Sequence, residues 1–274
     1  KGVGRVLSSG KASISSFAYK LFDLNLRHLI PKGLRLRLEI VLPDGEKLAE
    51  RTSNSAFGIV DGLALIGTQA QGQVSASPDQ QQSVLDQLRA QCAEFNFSGK
   101  MIFVIGENGF DLALKYGLPK KSILKTGNWV GPAIVCAAEL GVKELILFGY
   151  HGKLIKLAGG IFHTHHHLAD ARLEILTYLA ILEKLPLELV HHIMNASSIE
   201  EALLLLESQD SAMVKKLWTR IAFEIEKKSN DYIKRYLAAS IQIGATLFDR
   251  NRKLRWAGPI GLKHMKNLGI SLGT

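Results

Sequence analysis

The sequence predicts an α/β protein of two domains, with a mixed-sheet N-terminal part of α+β character, a parallel-sheet middle part and a helical C-terminal part. Three observations predict it. In the middle third, apolar runs end in glycine loops and give way to helical spacing, at "MIFVIG", "SILKTG" and "ELILFG". Strand and helix alternating across short glycine loops is the pattern of a parallel sheet built from crossover units. The first third instead alternates apolar and charged residues around an Asp-Gly turn, and the last third carries apolar residues at amphipathic-helix spacing.

In chain order, "LRLRLEIVL" alternates from Leu34 to Leu38 and predicts a half-buried strand. "PDGE" at Pro43–Glu46 predicts a turn, with Asp-Gly where a positive φ is easiest. "FGIVDGLALIG" is a second apolar stretch, ending in the polar loop "TQAQGQVSASPDQQQS". That loop is the predicted boundary, between a first domain over 1–80 and a second over 81–274. "SVLDQLRAQCAEF" has helical spacing and leads into the second domain. There "MIFVIG", "SILKTG" and "ELILFG" predict strands. "ENGFDLALKYG", "NWVGPAIVCAAELG" and "YHGKLIKLAGG" predict the helices between and after them, the second closed by Gly141. Ligands of such sheets bind outside the carboxyl ends of the strands. Three loops are expected to meet there: Gly106–Gly109, Thr126–Gly131 and Gly149–Lys153. Ser198 with Glu201 forms a capping box before "ALLLLES". "AMVKKLWTRIAFEIEKKSNDYIKRYLAASIQIG" predicts one long amphipathic helix or two, and "FDRNRKLRWAG" a short hairpin.

Composition narrows the function. The 274 residues are 47% hydrophobic and 22% charged, which describes a globular chain with a core. Its apolar runs are far too short to span a bilayer, and "KGVGRVLSSGKASISSF" lacks the apolar stretch of a signal peptide. Two cysteines, Cys92 and Cys136, suit a reducing cytoplasm, and the missing initiator Met reads as a trimmed piece of a longer chain. A formal net charge of +9 favours an anionic partner. Nucleic acid is disfavoured, because no helix-turn-helix spacing, zinc finger or RNP-type motif is present. A homo-oligomer is compatible with the sequence.

The chemistry concentrates in "FGYHGKLIKLAGGIFHTHHHLADAR", which holds five of the nine histidines. His163, His165, His166 and His167 lack the intervening Glu of a zinc-binding H-E-x-x-H, so no metal site is expected. "GYHGK" is too short for a phosphate loop, and "GENG" is not G-x-G-x-x-G. The loop glycines still let backbone approach a ligand closely. Lys153 and Lys156 share a helix face, and with Arg172 beyond Gly159-Gly160 they suit an anionic ligand held by separated cations. No buried nucleophile is evident, since Ser8, Ser9 and Thr164 have no convincing base-and-orienter set.

Together these segments resemble the cobalt-precorrin-5B C(1)-methyltransferase family, CbiD. "PDGEKLAERTSN" with "FGIVDGLALIGT" resembles its first signature, a strand-turn-strand ending in Gly-Thr. "KTGNWVGPAI" is similar to its Asn-aromatic-hydrophobic-Gly segment, and "GKLIKLAGGIFHTHHHLADAR" to its most distinctive stretch. The chain departs from the family at Tyr150 and His163, where His and Asn are usual, and at "QAQ" after Thr68. It also begins beyond the family's early Gly-Thr-Thr-Gly-rich segment.

The resemblance implies transfer of a methyl group from S-adenosylmethionine to carbon 1 of cobalt-precorrin-5B in anaerobic cobalamin biosynthesis. It also implies a second domain that is Rossmann-like. The cobalt arrives with the substrate, whose carboxylates call for a basic pocket. On that reading Gly106, Gly109, Gly127, Asn128, Gly131 and Gly149 hold the methyl donor. Lys153, Lys156, His163, Thr164, Arg172 and Thr68 hold the substrate, and His165, with Asp170 orienting it, is the candidate catalytic pair. The rival is a corrinoid- or tetrapyrrole-binding module without catalysis. A third reading, a zinc hydrolase built on "HTHHH", is weaker still.

Overall fold

A computed structural model of the chain describes residues 1–50, 58–65, 78–165, 168–238 and 241–273. The chain divides into two compact units, Lys1–Gln73 and Val74–Thr274.

In the first unit, β1 (Arg5–Val6) pairs antiparallel with β2 (Ile59–Val60). Between them lie α1 (Ser16–Leu26) and α2 (Gly45–Ala49). Ser15 caps α1, its hydroxyl accepting the Ala18 N–H at 3.1 Å. The predicted strand at Leu34–Leu38 is a correction: the segment joins no ladder among the described residues, and Leu34, Leu36 and Leu38 are exposed. Alternation specifies which side chains share a face, but a strand exists only when a neighbour takes its hydrogen bonds. The Asp-Gly turn is also modified. Pro43 and Asp44 do turn, but Gly45 then opens α2. It must be glycine because a Cβ there would lie 2.1 Å from the Gly2 carbonyl oxygen.

The second unit opens with α3 (Pro78–Cys92) and then alternates: β3 (Lys100–Val104), α4 (Gly106–Lys115), β4 (Ile123–Lys125), α5 (Val130–Glu139), β5 (Glu144–Tyr150) and α6 (His151–Ala158). A helical run follows: α7 (Arg172–Leu182), α8 (Leu187–Asn195), α9 (Ile199–Gln209) and α10 (Ser211–Lys234). The hairpin β6 (Gln242–Phe248) and β7 (Leu254–Ala257) comes next, and α11 (Pro259–Asn267) closes the unit.

The sheet order is β4-β3-β5-β6-β7, with β7 alone antiparallel. Both faces are covered, as a parallel sheet requires. Met101, Phe103, Leu145 and Leu147 pack on one side with residues of α3, α5, α6 and α10. Ile102, Val104, Ile146 and Phe148 pack on the other with Leu112 of α4 and Met265 of α11. The middle of the chain thus forms the parallel sheet its rhythm predicts. The C-terminal third needs a correction, because the stretch read as helix through Gly244 contains most of the first half of β6. That strand lies parallel to β5, with Glu144 opposite Gln242.

From β3 the chain steps outward to β4, then returns along α5 to β5 on the other flank of β3. The order reverses between β3 and β5, so their carboxyl ends flank the crevice where such sheets bind ligands.

Candidate functional site

Gly106 and Gly127 leave the carboxyl ends of β3 and β4 with φ of 76° and 55°, and nothing lies within 4 Å of a Cβ added to either. They are open, and their backbone is approachable. The other three glycines serve packing. A Cβ on Gly109 would touch Val104 at 3.4 Å, one on Gly149 would meet Leu154 at 3.0 Å, and one on Gly131 would meet Phe162 at 2.9 Å and the Tyr232 hydroxyl at 3.0 Å.

The two segments singled out separately in the sequence are laced together here. Thr164 donates its hydroxyl to Asn128 Oδ1 at 3.0 Å and its amide to the Asn128 carbonyl at 3.1 Å. The Gly131 N–H donates to the Phe162 carbonyl at 3.0 Å. This brings His163 edge-on to Trp129, with ring centroids 4.3 Å apart. Neither the Trp129 indole nitrogen nor, beyond its own backbone, either His163 ring nitrogen has a partner among the described residues, although all three are buried. Buried polar atoms of that kind call for a partner. Burial first, then His165, lowers the His163 pKa, so its imidazole is neutral near pH 7. It therefore offers one donor and one acceptor beside the indole donor.

Lys156 is 3% exposed. Its ammonium donates to the carbonyls of Thr164 at 3.2 Å and Ala169 at 2.6 Å, with Asp170 at 3.9 Å. It straps the histidine loop from beneath, and burial lowers its pKa. Arg172 pairs through both Nε and Nη2 with Asp170, the latter at 2.7 Å, and this holds the Asp170 carboxyl below its ordinary pKa. Lys153 reaches solvent on the same helix as Lys156. His165 lies near His163, with ring centroids 6.3 Å apart. His166, His167 and Thr68 lie outside the described residues. A cavity of about 190 Å³ opens between the start of α7, at Asp170–Glu174, and the start of α9, at Ser197–Ile199.

Sequence reasoning missed a hydrogen-bond chain at the end of β5. Trp218 of α10 donates its indole N–H to His151 Nδ1 at 3.0 Å. The imidazole proton then sits on Nε2, which faces Glu200 Oε2 at 3.2 Å. The Tyr150 hydroxyl donates to the same oxygen at 2.8 Å. Burial alone would raise the Glu200 pKa, but the bonds from His151 and Tyr150 outweigh it and hold the carboxyl ionised. The partners are 49 to 67 residues apart, so no local spacing could have announced them.

Comparison with known proteins bears on the whole chain. The CbiD family matches residues 1–75 and the CbiD C-terminal domain residues 163–259. A cobalt-precorrin-5B C(1)-methyltransferase of Prochlorococcus marinus strain MIT 9303 is 58% identical over 271 residues, covering 99% of this chain and 70% of that protein. The strain NATL2A protein of the same name is 56% identical, covering 99% and 71%. That of Parasynechococcus marenigrum WH8102 is 53% identical, covering 95% and 72%. A crystal structure of the cobalamin biosynthesis protein cbiD from Archaeoglobus fulgidus aligns with a TM-score of 0.39 at 20% identity, covering 63% of this chain and 55% of that one.

Proposed function

The chain belongs to the CbiD family, and from that premise we propose that it is an S-adenosylmethionine-dependent methyltransferase. It acts on carbon 1 of cobalt-precorrin-5B to give cobalt-precorrin-6A in anaerobic cobalamin biosynthesis, in the cytoplasm. The observation that carries this reading is 56–58% identity across 99% of the chain to proteins of that name.

The residues fit the parts. S-adenosylmethionine would supply an electrophilic methyl group, and the open backbone at Gly106 and Gly127 is where a nucleoside can approach the sheet. Lys153 and Arg172 would meet the carboxylates of the macrocycle. Asp170 holds the Arg172 fork in place, while Lys156 fixes the loop that carries His163, Thr164 and His165. Trp129 and the neutral His163 can bond the polar edge of the substrate. With the ring held there, what methyl transfer needs most is orientation, and His165, on the same loop as His163, would be the polar group turned to the reacting carbon.

The test is turnover with methyl-labelled S-adenosylmethionine and cobalt-precorrin-5B. Label in a product heavier by one methyl is expected. Tight binding of the corrinoid with no transfer from a folded protein would favour the binding-module reading instead.

A further inference from the structure

We propose that Tyr150 and Glu200 together take the ribose hydroxyls of the nucleoside methyl donor, an inference that rests on the methyltransferase reading and deepens it. The first support is position. Val104 of β3 pairs with Phe148 of β5, so Tyr150, two residues further on, ends β5 just past the last paired residue of β3, on the edge of the sheet at which the open Gly106 leaves β3 for α4. On its other side Tyr150 pairs with Phe248 of β6. The pair thus stands at the crevice where the strand order reverses, and both residues are only partly buried.

The second support is rigidity. The Tyr150 ring lies so close to Gly152 that a Cβ there would come within 2.6 Å of Cε1. The His151 ring packs edge-on to it at 4.6 Å. Trp218, fully buried, fixes the His151 tautomer, and His151 and Tyr150 fix the Glu200 carboxylate. A site so held loses little entropy when a ligand binds.

The third support is what the pair can bond. The Tyr150 proton is committed to Glu200, and Glu200 is ionised. Their remaining lone pairs can only accept, so a ligand carboxylate finds no donor on these two groups themselves. A cationic group meets Arg172 and Arg250, both close enough to influence Tyr150, and Lys153, which Arg172 influences in turn. The group that fits is a neutral donor; of the donor molecule's neutral donors, the adenine amino group carries both its N–H on one nitrogen, whereas the ribose diol offers its two O–H from separate oxygens, one for each of Tyr150 and Glu200.

Calorimetry on the whole chain tests this, with S-adenosylhomocysteine, adenosine and 2′,3′-dideoxyadenosine as probes. The wild-type protein is expected to prefer adenosine over the dideoxy compound by about tenfold or more, the size of a hydrogen bond to a charged group. Glu200→Gln and Tyr150→Phe should each erase most of that preference and weaken S-adenosylhomocysteine about tenfold. Circular dichroism on both variants reports folding, and the milder Tyr150→Phe covers the case in which Glu200→Gln is unstable. Variants that keep the preference overturn the inference and leave the methyltransferase reading standing. A wild-type protein that binds S-adenosylhomocysteine but ignores the diol does the same. No binding of S-adenosylhomocysteine to the wild type removes the donor reading itself, and the inference with it.

Discussion

Glu226, near the end of α10, accepts the Gly261 N–H of α11 at 2.7 Å. The same carboxylate takes the Ile260 N–H at 3.2 Å and the Ala245 N–H of β6 at 3.0 Å. One buried side chain therefore caps the last helix and ties it to the sheet. It does so where Gly261 packs directly on the Ala245 carbonyl, with room for no Cβ on Gly261.

Glu226→Ala should be among the most damaging single changes in this unit. It strands three backbone donors, two of them buried, and each unsatisfied buried group costs roughly 1–3 kcal/mol. A loss of about 3 kcal/mol or more in urea denaturation is expected. A loss below about 1 kcal/mol, within the range of an ordinary surface change, would show that water replaces the carboxylate there.

The same region shows where sequence reading stops. The parallel sheet was legible because β3 and β5 are continuous apolar runs closed by glycine, the imprint of burial on both faces. β6 was not. Ile243, Ala245 and Leu247 alternate correctly for a strand, but they follow a helix of 24 residues whose spacing runs on without a break. What makes Gln242–Phe248 a strand is the free edge of β5 beside it. The reverse held at Leu34–Leu38, where a clean alternation found no neighbour among the described residues. At the site, the loops and cations were legible from composition. The partners of Tyr150, His151 and Glu226 were not, because each comes from a distant helix or strand.

The five loop glycines should separate into two classes. Gly131→Ala forces a Cβ to 2.9 Å from the Cβ of buried Phe162 and 3.0 Å from the Tyr232 hydroxyl, and should cost about 1–3 kcal/mol by overpacking. Gly127→Ala meets no atom and carries only the strain of a positive φ, about 1 kcal/mol. Gly127→Ala should therefore stay folded while weakening S-adenosylhomocysteine, whereas Gly131→Ala should lose stability first. Thermal melts and calorimetry on both variants would decide it, and equal melting temperatures would refute the division.

Lys156 and Lys153 should likewise part company. Lys156→Ala removes the donor that satisfies two loop carbonyls, so stability is expected to fall by about 2 kcal/mol or more. Lys153→Ala should leave the melting temperature nearly unchanged, because exposed charges contribute about 0–1 kcal/mol. It should instead weaken the corrinoid about tenfold, more at low salt than at high. If Lys153→Ala binds substrate like the wild type at every salt concentration, that lysine is only solvated surface.

Mild acid should loosen the fold, because two histidines resist charging. His264 is 3% exposed, its ring nitrogens have no hydrogen-bond partner among the described residues, and Glu144 stands 3.8 Å away. Burial lowers its pKa in spite of Glu144, and burial also lowers that of His163. In the unfolded chain both would titrate near pH ~6.5. Between that value and the depressed folded one, the unfolded chain binds a proton that the folded chain refuses, so stability falls as pH falls. It should be level above about pH 7 and then drop, by up to about 1.4 kcal/mol per pH unit for each histidine until its folded pKa is reached. Glu200 and Asp170, whose folded pKa values lie below the ordinary carboxylate range, add their own losses only at lower pH, whereas Glu226, whose pKa burial raises, binds its proton more readily folded than unfolded and so opposes the fall. Urea midpoints measured from pH 8 to pH 5 should show the fall, and His264→Gln should flatten it. A variant as steep as the wild type would mean that His264 is protonated in the folded protein and that Glu144 outweighs its burial.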